Sequence, residues 1–344
     1  MPTHIAIPVQ DNADVGAARR AAASLSFAVP LDPTVAGKFA IVVTEAATNL
    51  VKHGHGGSIL LTQRDTAIPA VEMLAIDKGP GMDNVGRHLV DGYSTAGSLG
   101  HGLGAIARQS TTHEIYSAPG LGTVVFAQLS NPIPRPHMPS PPSNFEIGAI
   151  NVPIAGETVC GDAWVAHPTC SGIRVLLADG LGHGEGAAEA SNAAIQIASN
   201  YVADSPTQLL ERIHAGLRPT RGAAVSVARI DFHRETVCFA GLGNVAGVLI
   251  VPGDPRRQMV SYNGTAGHQA RKIREFTYPW TAASILILHS DGLTSHWSLD
   301  KYPGLYRCHP SIIAAVLFRD FQRGKDDATV VVVRRAPDSM QVRP

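Results

Sequence analysis

The sequence has few cysteines and no excess charge of either sign. Only four of its 344 residues are cysteine, and no two of them form a CxxC pair. This argues against a disulfide framework and against a cysteine zinc site. Lysine plus arginine and aspartate plus glutamate each number 28, so the formal net charge is zero. No long-range field would therefore draw the chain to nucleic acid or to an anionic membrane surface.

Long apolar runs are also missing. No stretch approaches the roughly 20 apolar residues that span a bilayer. Residues 1–10 lack the basic segment followed by an apolar one that marks a secretory signal. The sequence therefore predicts a cytoplasmic protein with no membrane partner. Its 15 histidines are dispersed and form no HExxH motif, so they do not indicate a histidine zinc site.

A proline-rich segment divides the chain. Residues 130–144 read SNPIPRPHMPSPPSN. Proline fixes φ and removes a backbone donor, so neither a helix nor a sheet is expected to run through this segment. We predict an N-terminal domain at residues 1–130, a linker at 131–144 and a C-terminal domain at 145–337. A proline-rich recognition motif is the alternative interpretation of the segment.

Both halves alternate strand-like and helix-like segments, which predicts an α+β fold with largely antiparallel sheets. Residues 38–53 have apolar side chains at helical spacing, and glycines follow them, so we expect a helix that ends there. In the second half, helices are expected at 185–202 and 312–321. Strands are expected at 59–63, 71–76, 114–117, 123–129, 146–150, 174–178, 224–230, 236–240, 245–251, 284–289 and 328–333.

Aspartates stand at the ends of several segments in the second half. Asp179-Gly180 and Asp291-Gly292 each follow a predicted strand, Asp326 comes just before the last strand, and Asp162 lies near the start of this half. A carboxylate followed by glycine lets the backbone turn sharply, so a cation can approach carboxylate and carbonyl together. A single Asp-Gly pair is often only a turn. Four acidic positions in this order predict a two-metal site, which can activate water and clamp a phosphoryl group.

Four segments of this half resemble the metal-dependent protein phosphatases of the SpoIIE type, and most of all the RsbX-like stress-response members. They are GETVCGDAW (156–164), LLADGLGHGEGAAEAS (176–191), LHSDGLTS (288–295) and DDATVVVV (326–333). The resemblance implies a PPM-type αββα sandwich. It also implies a centre of two Mn²⁺ or Mg²⁺ ions that serves hydrolysis of phosphoserine or phosphothreonine.

The same resemblance implies roles for individual residues. Asp179 would be the catalytic aspartate that bridges both metals, and the Gly180 carbonyl would bind one of them. Asp291 and Asp326 would complete the other site, with Asp327 as the alternative for the last position. The remaining implied metal residue, acting mainly through bound water, is Asp162.

The loop after Asp179-Gly180 departs from a common pattern. Many relatives outside the RsbX-like group have a histidine directly after Asp-Gly, whereas this chain has Leu181, and its nearest histidine is His183. His183 is either an acid for the leaving alkoxide or an ordinary loop residue near a helix start. The sequence leaves both interpretations open.

The first half contains a polar helix face and a set of glycine-rich turns. Glu45, Asn49, Lys52 and His53 fall at i, i+4, i+7 and i+8 of the predicted helix and so share one face. Glycine clusters that precede a helix let backbone N–H groups surround phosphate oxygens. The glycine-rich segments are DKGPGM (77–82), DGYSTAGSLGHGLG (91–104) and GT (122–123).

This ordered set resembles the GHKL ATP-binding fold, an α/β sandwich, and within it the RsbT-like serine kinases of anti-sigma and stressosome pathways. The resemblance implies that Glu45 is the general base, that Asn49 holds Mg²⁺ against the phosphates of ATP, and that Asp77 binds the adenine amino group. His101 interrupts the usual glycine-leucine lid. The other residues implied in the pocket are Lys52, His53, Gly79, Gly81, Gly100, Gly102, Leu103, Gly104 and Thr123.

The two resemblances together predict a phosphatase fused to an ATP-binding, kinase-like module. The expected partner is a phosphorylated STAS-domain or anti-sigma/anti-anti-sigma protein of bacterial stress signalling. In one alternative the ATP-binding module only senses nucleotide or docks partners. In another the whole chain sequesters partners without catalysis, and a small-molecule phosphohydrolase is the third.

Overall fold

The computed structural model describes residues 3–64, 68–86, 102–132 and 145–336. The chain divides into two compact units. Of the described residues, those up to 132 together with Ser298–Arg319 form the N-terminal unit, and those at 145–297 and 320–336 form the C-terminal unit. Both combine helices with largely antiparallel sheets, which confirms the predicted α+β class. The limits 1–130, 131–144 and 145–337 stay a prediction, and most of the predicted linker lies outside the described residues.

One antiparallel sheet forms the middle of the N-terminal unit. Its strands are β1 (Ile5–Val9), β2 (Gly57–Arg64), β3 (Ala70–Ile76), β4 (Thr112–Ser117) and β5 (Thr123–Ser130). Their order is β1-β2-β3-β5-β4. Three helices of this unit are α1 (Asn12–Ala28), α2 (Pro33–His53) and α3 (Gly102–Gln109). Phe39 and Val43 of α2 are completely buried in one core with Met73 of β3.

The N-terminus of α2 is set by a local capping signal. The Asp32 side chain accepts a hydrogen bond from the Thr34 N–H at 2.8 Å. Pro33 follows at the first helical position, where its missing N–H would have had no partner within the helix. These residues extend the helix five positions beyond the predicted start at residue 38.

Helix α2 is long and apolar enough, by length and composition, to cross a membrane. Seven of its residues, including Phe39, Val43 and Leu50, are buried against the rest of the N-terminal unit. A core helix has the same composition, so packing within this unit accounts for the hydropathy of α2. The cytoplasmic location stays a prediction.

Two sheets enclose the core of the C-terminal unit. The strands are β6 (Phe145–Val152), β7 (Asp162–Thr169), β8 (Gly172–Gly180), β9 (Ala223–Asp231), β10 (Thr236–Leu242), β11 (Ala246–Ile250), β12 (Arg257–Gln258), β13 (Ser261–Tyr262), β14 (Gly264–Thr265), β15 (Gln269–Ala270), β16 (Phe276–Pro279), β17 (Ile285–His289) and β18 (Ala328–Arg335). The first sheet runs β13-β10-β9-β8-β7 with β16 beside β10, the second runs β12-β11-β17-β18-β6, and β14 and β15 form a separate two-stranded sheet. Leu177 and Phe239 of the first sheet share a buried core with Leu288 and Val331 of the second.

Helices α4 (Glu185–Asn200) and α5 (Pro206–Gly216) pack on the other face of the first sheet. Helix α4 confirms the helix predicted at 185–202. Helix α5 and strand β7 were not predicted. The signal for α5 is a capping box, in which Ser205 and Gln208 each bond the backbone N–H of the other. A last helix, α6 (Pro310–Phe321), confirms the one predicted at 312–321.

Candidate metal centre and nucleotide pocket

Two of the predicted metal residues lie opposite each other on adjacent strands of the first sheet of the C-terminal unit. Strand β7 begins at Asp162, strand β8 ends with Asp179 and Gly180, and Asp162 and Asp179 are Cα partners in the antiparallel register. The Gly180 N–H donates to the Gly161 carbonyl at 3.2 Å. This pairing places both carboxyl groups at the same end of the sheet.

The second sheet brings its aspartates to the same place. Asp291 lies two residues after the end of β17, and Asp326 and Asp327 lie directly before β18. The Gly161 N–H donates to Asp327 Oδ2 at 2.7 Å, which joins the loop before β7 to the start of β18. Residues that the sequence separates by more than 160 positions therefore meet.

The carboxyl groups influence one another strongly. Burial raises the pKa of Asp179, and the nearby charges of Asp162, Asp291, Asp326 and Asp327 raise it further. Burial is also the largest cause of the raised pKa of Asp162, although interactions with side-chain hydroxyls partly oppose it. In a poorly solvated place, like charges favour the protonated form. A divalent cation would offset these charges directly.

The remaining hydrogen bonds distinguish the aspartates from one another. Both oxygens of Asp327 accept backbone hydrogen bonds at 2.7 Å, one from Ile154 and one from Gly161. Asp326 Oδ1 accepts from the Asp327 N–H at 2.9 Å. Asp162 Oδ2 is buried with no hydrogen-bond partner among the described residues. Leaving a buried carboxylate oxygen without a donor costs free energy.

These features fit hard divalent cations, which prefer carboxylate oxygens. Within the described residues, no group of three or more histidine, cysteine, aspartate or glutamate side chains is already gathered at metal-ligand positions. The metal roles of Asp162, Asp179, the Gly180 carbonyl, Asp291 and Asp326 stay a prediction.

Close backbone packing explains both Asp-Gly motifs. A Cβ placed on Gly180 would lie 2.0 Å from the Ala187 carbonyl oxygen, and one on Gly292 would lie 2.0 Å from the Asp327 carbonyl oxygen. No larger residue fits either position without moving the backbone. The glycines therefore let the aspartate-bearing strand ends pack against neighbouring segments.

Two supporting contacts had no role in the sequence analysis. The Asn244 amide donates to Asp291 Oδ2 at 2.6 Å. The sequence feature that could have pointed to Asn244 is the GLGN segment at 241–244. Two hydrogen bonds of 3.0 Å join the buried Ser290 and Thr329, one from the Ser290 N–H to the Thr329 carbonyl and one from the Thr329 N–H to Ser290 Oγ. Their side chains lower the pKa of Asp162.

His183 lies beside this centre, at its exposed edge. Its Nδ1 is 2.9 Å from Glu157 Oε1, and more than half of its side chain is exposed. His183 also lowers the pKa of Asp327, although burial is the larger influence and raises it. These contacts place His183 near the carboxylates without choosing between its two predicted roles.

In the N-terminal unit, the predicted polar face of α2 meets the start of α3. A Cβ placed on Gly102 would lie 3.1 Å from Asn49 Oδ1 and 3.3 Å from Glu45 Oε2. Asn49 Nδ2 is buried with no hydrogen-bond partner among the described residues. An unpaired buried amide next to a carboxylate suits a polar ligand at this position.

Asp77 is held rigidly at the end of β3. Its Oδ1 accepts hydrogen bonds from the Gly79 N–H at 2.8 Å and from the Thr123 N–H at 3.0 Å. Burial raises its pKa, and these two bonds are the largest opposing influence. The end of α2 is adjacent, because a Cβ on Gly79 would lie 3.0 Å from the His53 carbonyl oxygen.

The other predicted pocket residues have varied environments. Gly81 has a φ of +70°, and a Cβ there would lie 2.0 Å from the Ala118 carbonyl oxygen. Lys52 and His53 are exposed in the last turn of α2. Leu103 packs against the core that α1 and α2 form with the sheet, and Gly104 is buried. Gly100 and His101 lie outside the described residues.

Comparison with known families agrees with this arrangement. Residues 9–129 match the family described as the histidine kinase-like ATPase domain. Residues 171–336 match the family described as Stage II sporulation protein E. The two matched ranges correspond to the two halves in which the sequence showed nucleotide and metal motifs.

Two relatives from Bacillus subtilis (strain 168) correspond to the same halves. The chain is 28% identical over 138 residues to the phosphoserine phosphatase RsbX, and this aligned region covers 40% of this chain and 69% of that protein. It is 27% identical over 115 residues to the serine/threonine-protein kinase RsbT, which covers 33% of this chain and 86% of that protein.

One solved structure supports the fold of the larger part. It comes from work on the bacterial stressosome as a modular system that controls secondary messenger signalling. It is 24% identical, covers 55% of this chain and 99% of its own, and superposes with a TM-score of 0.52. Together, these matches divide the chain into a region similar to the histidine kinase-like ATPase domain, at residues 9–129, and a region similar to the SpoIIE family, at residues 171–336.

Proposed function

We propose that the C-terminal unit is a metal-dependent phosphatase that removes phosphate from phosphoserine or phosphothreonine in a switch protein of bacterial stress signalling. The observation that carries this proposal is the facing pair of the buried Asp162 and the half-buried Asp179, beside three further aspartates. A STAS-domain or anti-sigma pathway protein is the substrate class, in line with the activity named for RsbX.

The bound Mn²⁺ or Mg²⁺ ions would supply Lewis acidity for water and for the phosphoryl group. Asp179, the Gly180 carbonyl, Asp291 and Asp326 would hold these ions. We favour Asp326 over Asp327, because both oxygens of Asp327 already accept backbone hydrogen bonds.

The chain's own residues would orient these groups. The Asn244 amide fixes the rotamer of Asp291 through its 2.6 Å hydrogen bond. Asp162, whose Oδ2 lacks a donor, would accept a proton or a hydrogen bond from water at the edge of the centre. Supporting hydrogen bonds of this kind set ligand orientation and basicity.

For the N-terminal unit we propose ATP binding, with phosphate transfer to a serine or threonine as a second activity. Asp77, fixed by Gly79 and Thr123, would accept a hydrogen bond from the adenine amino group. Asn49 would hold Mg²⁺ against the phosphates. Glu45 lies with Asn49 on α2, beside Gly102 at the start of α3. It would take the proton from the substrate hydroxyl.

The phosphatase proposal is tested by Mn²⁺-dependent phosphate release from a phosphorylated STAS-domain protein. Asp179→Asn should abolish release. A matched control is Asp231→Asn, since Asp231 ends β9 in the same sheet but pairs with Gly172, at the opposite end from Asp179. Wild-type protein that releases no phosphate from several such phosphoproteins would refute the proposal.

The kinase proposal is tested separately with Glu45→Gln. This variant should lose phosphate transfer and still bind ATP, because the carboxylate is needed for the proton and not for the nucleotide. If the wild type binds ATP and transfers nothing to any partner, the N-terminal unit is a nucleotide sensor instead.

A further inference from the structure

The sheet of the N-terminal unit is buried on both faces. Neighbouring residues of a strand point to opposite faces. Val71 and Met73 of β3 belong to the core formed with α1 and α2. Leu74 and Phe126 do not belong to that core, yet they are completely buried. The second face is therefore covered as well.

The segment Ser298–Arg319, which the structure groups with this unit, supplies contacts to that face. The ring of His309 stacks on Phe126 with centroids 4.3 Å apart and planes 10° apart. The His309 N–H donates to Glu114 Oε2 at 2.9 Å. In α6, every residue from Pro310 to Arg319 is buried. This segment lies inside the range that matches the SpoIIE family, so its sequence does not suggest a place in the ATPase unit.

Arg319 connects this segment to the nucleotide pocket. Its Nη1 donates to the Asp77 carbonyl at 3.0 Å, and a Cβ placed on Gly122 would lie 3.0 Å from the same nitrogen. Arg319 is only 7% exposed. Its guanidinium therefore lies between the turn that follows Asp77 and the turn that leads into Thr123.

These two turns are the ones that hold the Asp77 carboxylate. The carboxylate accepts from the Gly79 and Thr123 N–H groups, and the Asp77 N–H donates to the Thr123 carbonyl at 3.0 Å. A buried guanidinium that binds the Asp77 carbonyl fixes the backbone on which this arrangement depends. Hydrogen bonds from a charged donor are stronger than neutral ones.

We propose that Arg319 is a positioning residue of the nucleotide pocket, and that Ser298–Arg319 completes the ATP-binding unit from the phosphatase-family stretch of the chain. This inference rests on the proposed ATP binding. Arg319 acts through the backbone of Asp77 and touches no nucleotide. Its expected signature is base selectivity, because Asp77 accepts a hydrogen bond from the adenine amino group, whereas guanine presents an oxygen at that position.

The test measures the Kd of the full-length chain for ATP and for GTP by calorimetry. Arg319→Met keeps the apolar stem of the side chain and removes the donors and the charge. It should weaken ATP binding about tenfold, or about 1.4 kcal/mol, and reduce the preference for ATP over GTP. Arg319→Lys should recover part of both effects. Lys301→Ala, an exposed cation in the same segment, should change neither.

The possible outcomes distinguish failure of the proposed role of Arg319 from failure of the proposed ATP binding. If the wild type binds ATP and Arg319→Met retains both the affinity and the preference, the inference fails and ATP binding stands. Equal weakening of ATP and GTP would also overturn it, since that indicates a general structural role. If Arg319→Met does not fold, wild-type values for Arg319→Lys would overturn it. A wild type that binds no ATP refutes the proposed function itself.

Discussion

Asp162 and Asp179 are directly opposed across the β7–β8 ladder, and each is raised in pKa chiefly by burial. Like charges at facing positions of an antiparallel pair destabilise the sheet. The arrangement is therefore unfavourable for folding alone, and a bound divalent cation would offset its cost.

Replacing one member of this pair should separate stability from metal binding. Asp162→Asn removes one buried carboxylate from a cluster of five. In the presence of a chelator we expect the variant to be more stable than the wild type, by about 1–3 kcal/mol. The rise in Tm that Mn²⁺ causes in the wild type should be smaller or lost in the variant. Thermal unfolding with and without Mn²⁺ measures both effects.

The control for this experiment is Asp231→Asn, at the far end of the same sheet. Its Mn²⁺-induced shift in Tm should equal that of the wild type. If Asp162→Asn is less stable than the wild type under chelation and responds fully to Mn²⁺, the facing carboxylates are not a metal site.

The neighbours Asp326 and Asp327 should respond differently to the same substitution. Asp326→Asn should remove phosphatase activity and leave Tm near that of the wild type under chelation. Asp327→Asn should lower Tm, because its carboxylate accepts two backbone hydrogen bonds at 2.7 Å, from Ile154 and Gly161. Losing charge-assisted acceptance costs about 1–3 kcal/mol. Equal effects of the two variants on activity and Tm would contradict these assignments.

Gly292 should tolerate no side chain. A Cβ there would lie 2.0 Å from the Asp327 carbonyl oxygen, so Gly292→Ala should lower the free energy of unfolding by about 3 kcal/mol or more. Gly37→Ala is the matched control. Gly37 is an exposed residue of α2, with no heavy atom within 4 Å of an added Cβ. That change should stabilise the chain by about 0.5–1 kcal/mol, as chemical denaturation can show.

Glu72 should make the stability of the N-terminal unit depend on pH. Glu72 is 1% exposed, and burial raises its pKa more strongly than Arg64, 3.3 Å away, lowers it. Between the ordinary and the raised pKa, the native state binds more protons than the unfolded state. Stability therefore falls as pH rises through this range.

Glu72→Gln removes that titration and keeps the side-chain shape. Its advantage in Tm over the wild type should grow as pH rises from the ordinary glutamate pKa toward the raised one. A Tm difference that is constant with pH would show that Glu72 has the same pKa in both states.

Most individual elements of the fold could be predicted from the sequence. The regular apolar spacing that ends at Gly54 identified α2, and the apolar runs before Asp179 and Asp291 identified β8 and β17. Helix α1 was missed because many of its apolar residues are alanines, which give a weak periodic signal. Strand β7 was missed, although Asp162 at its start was among the predicted metal residues.

The predicted site residues came from motifs whose order along the chain is informative. The strand register that aligns these residues and the hydrogen bonds that support them could not be predicted from the motifs. That Asp162 faces Asp179, that Asn244 binds Asp291 and that Asp327 accepts two N–H groups all depend on pairings between distant segments. Sequence spacing limits such pairings but does not specify them.

The sequence by itself determined the two kinds of domain and the acidic and glycine-rich motifs, because these depend on local periodicity and on residue chemistry. The tertiary structure decided which surfaces the elements cover. Helix α6 is apolar almost all round, which indicates burial without indicating a partner, because the hydrophobic effect has no direction. Its place in the ATPase unit, with Arg319 on the Asp77 carbonyl, is fixed by packing and hydrogen bonds between residues 242 positions apart.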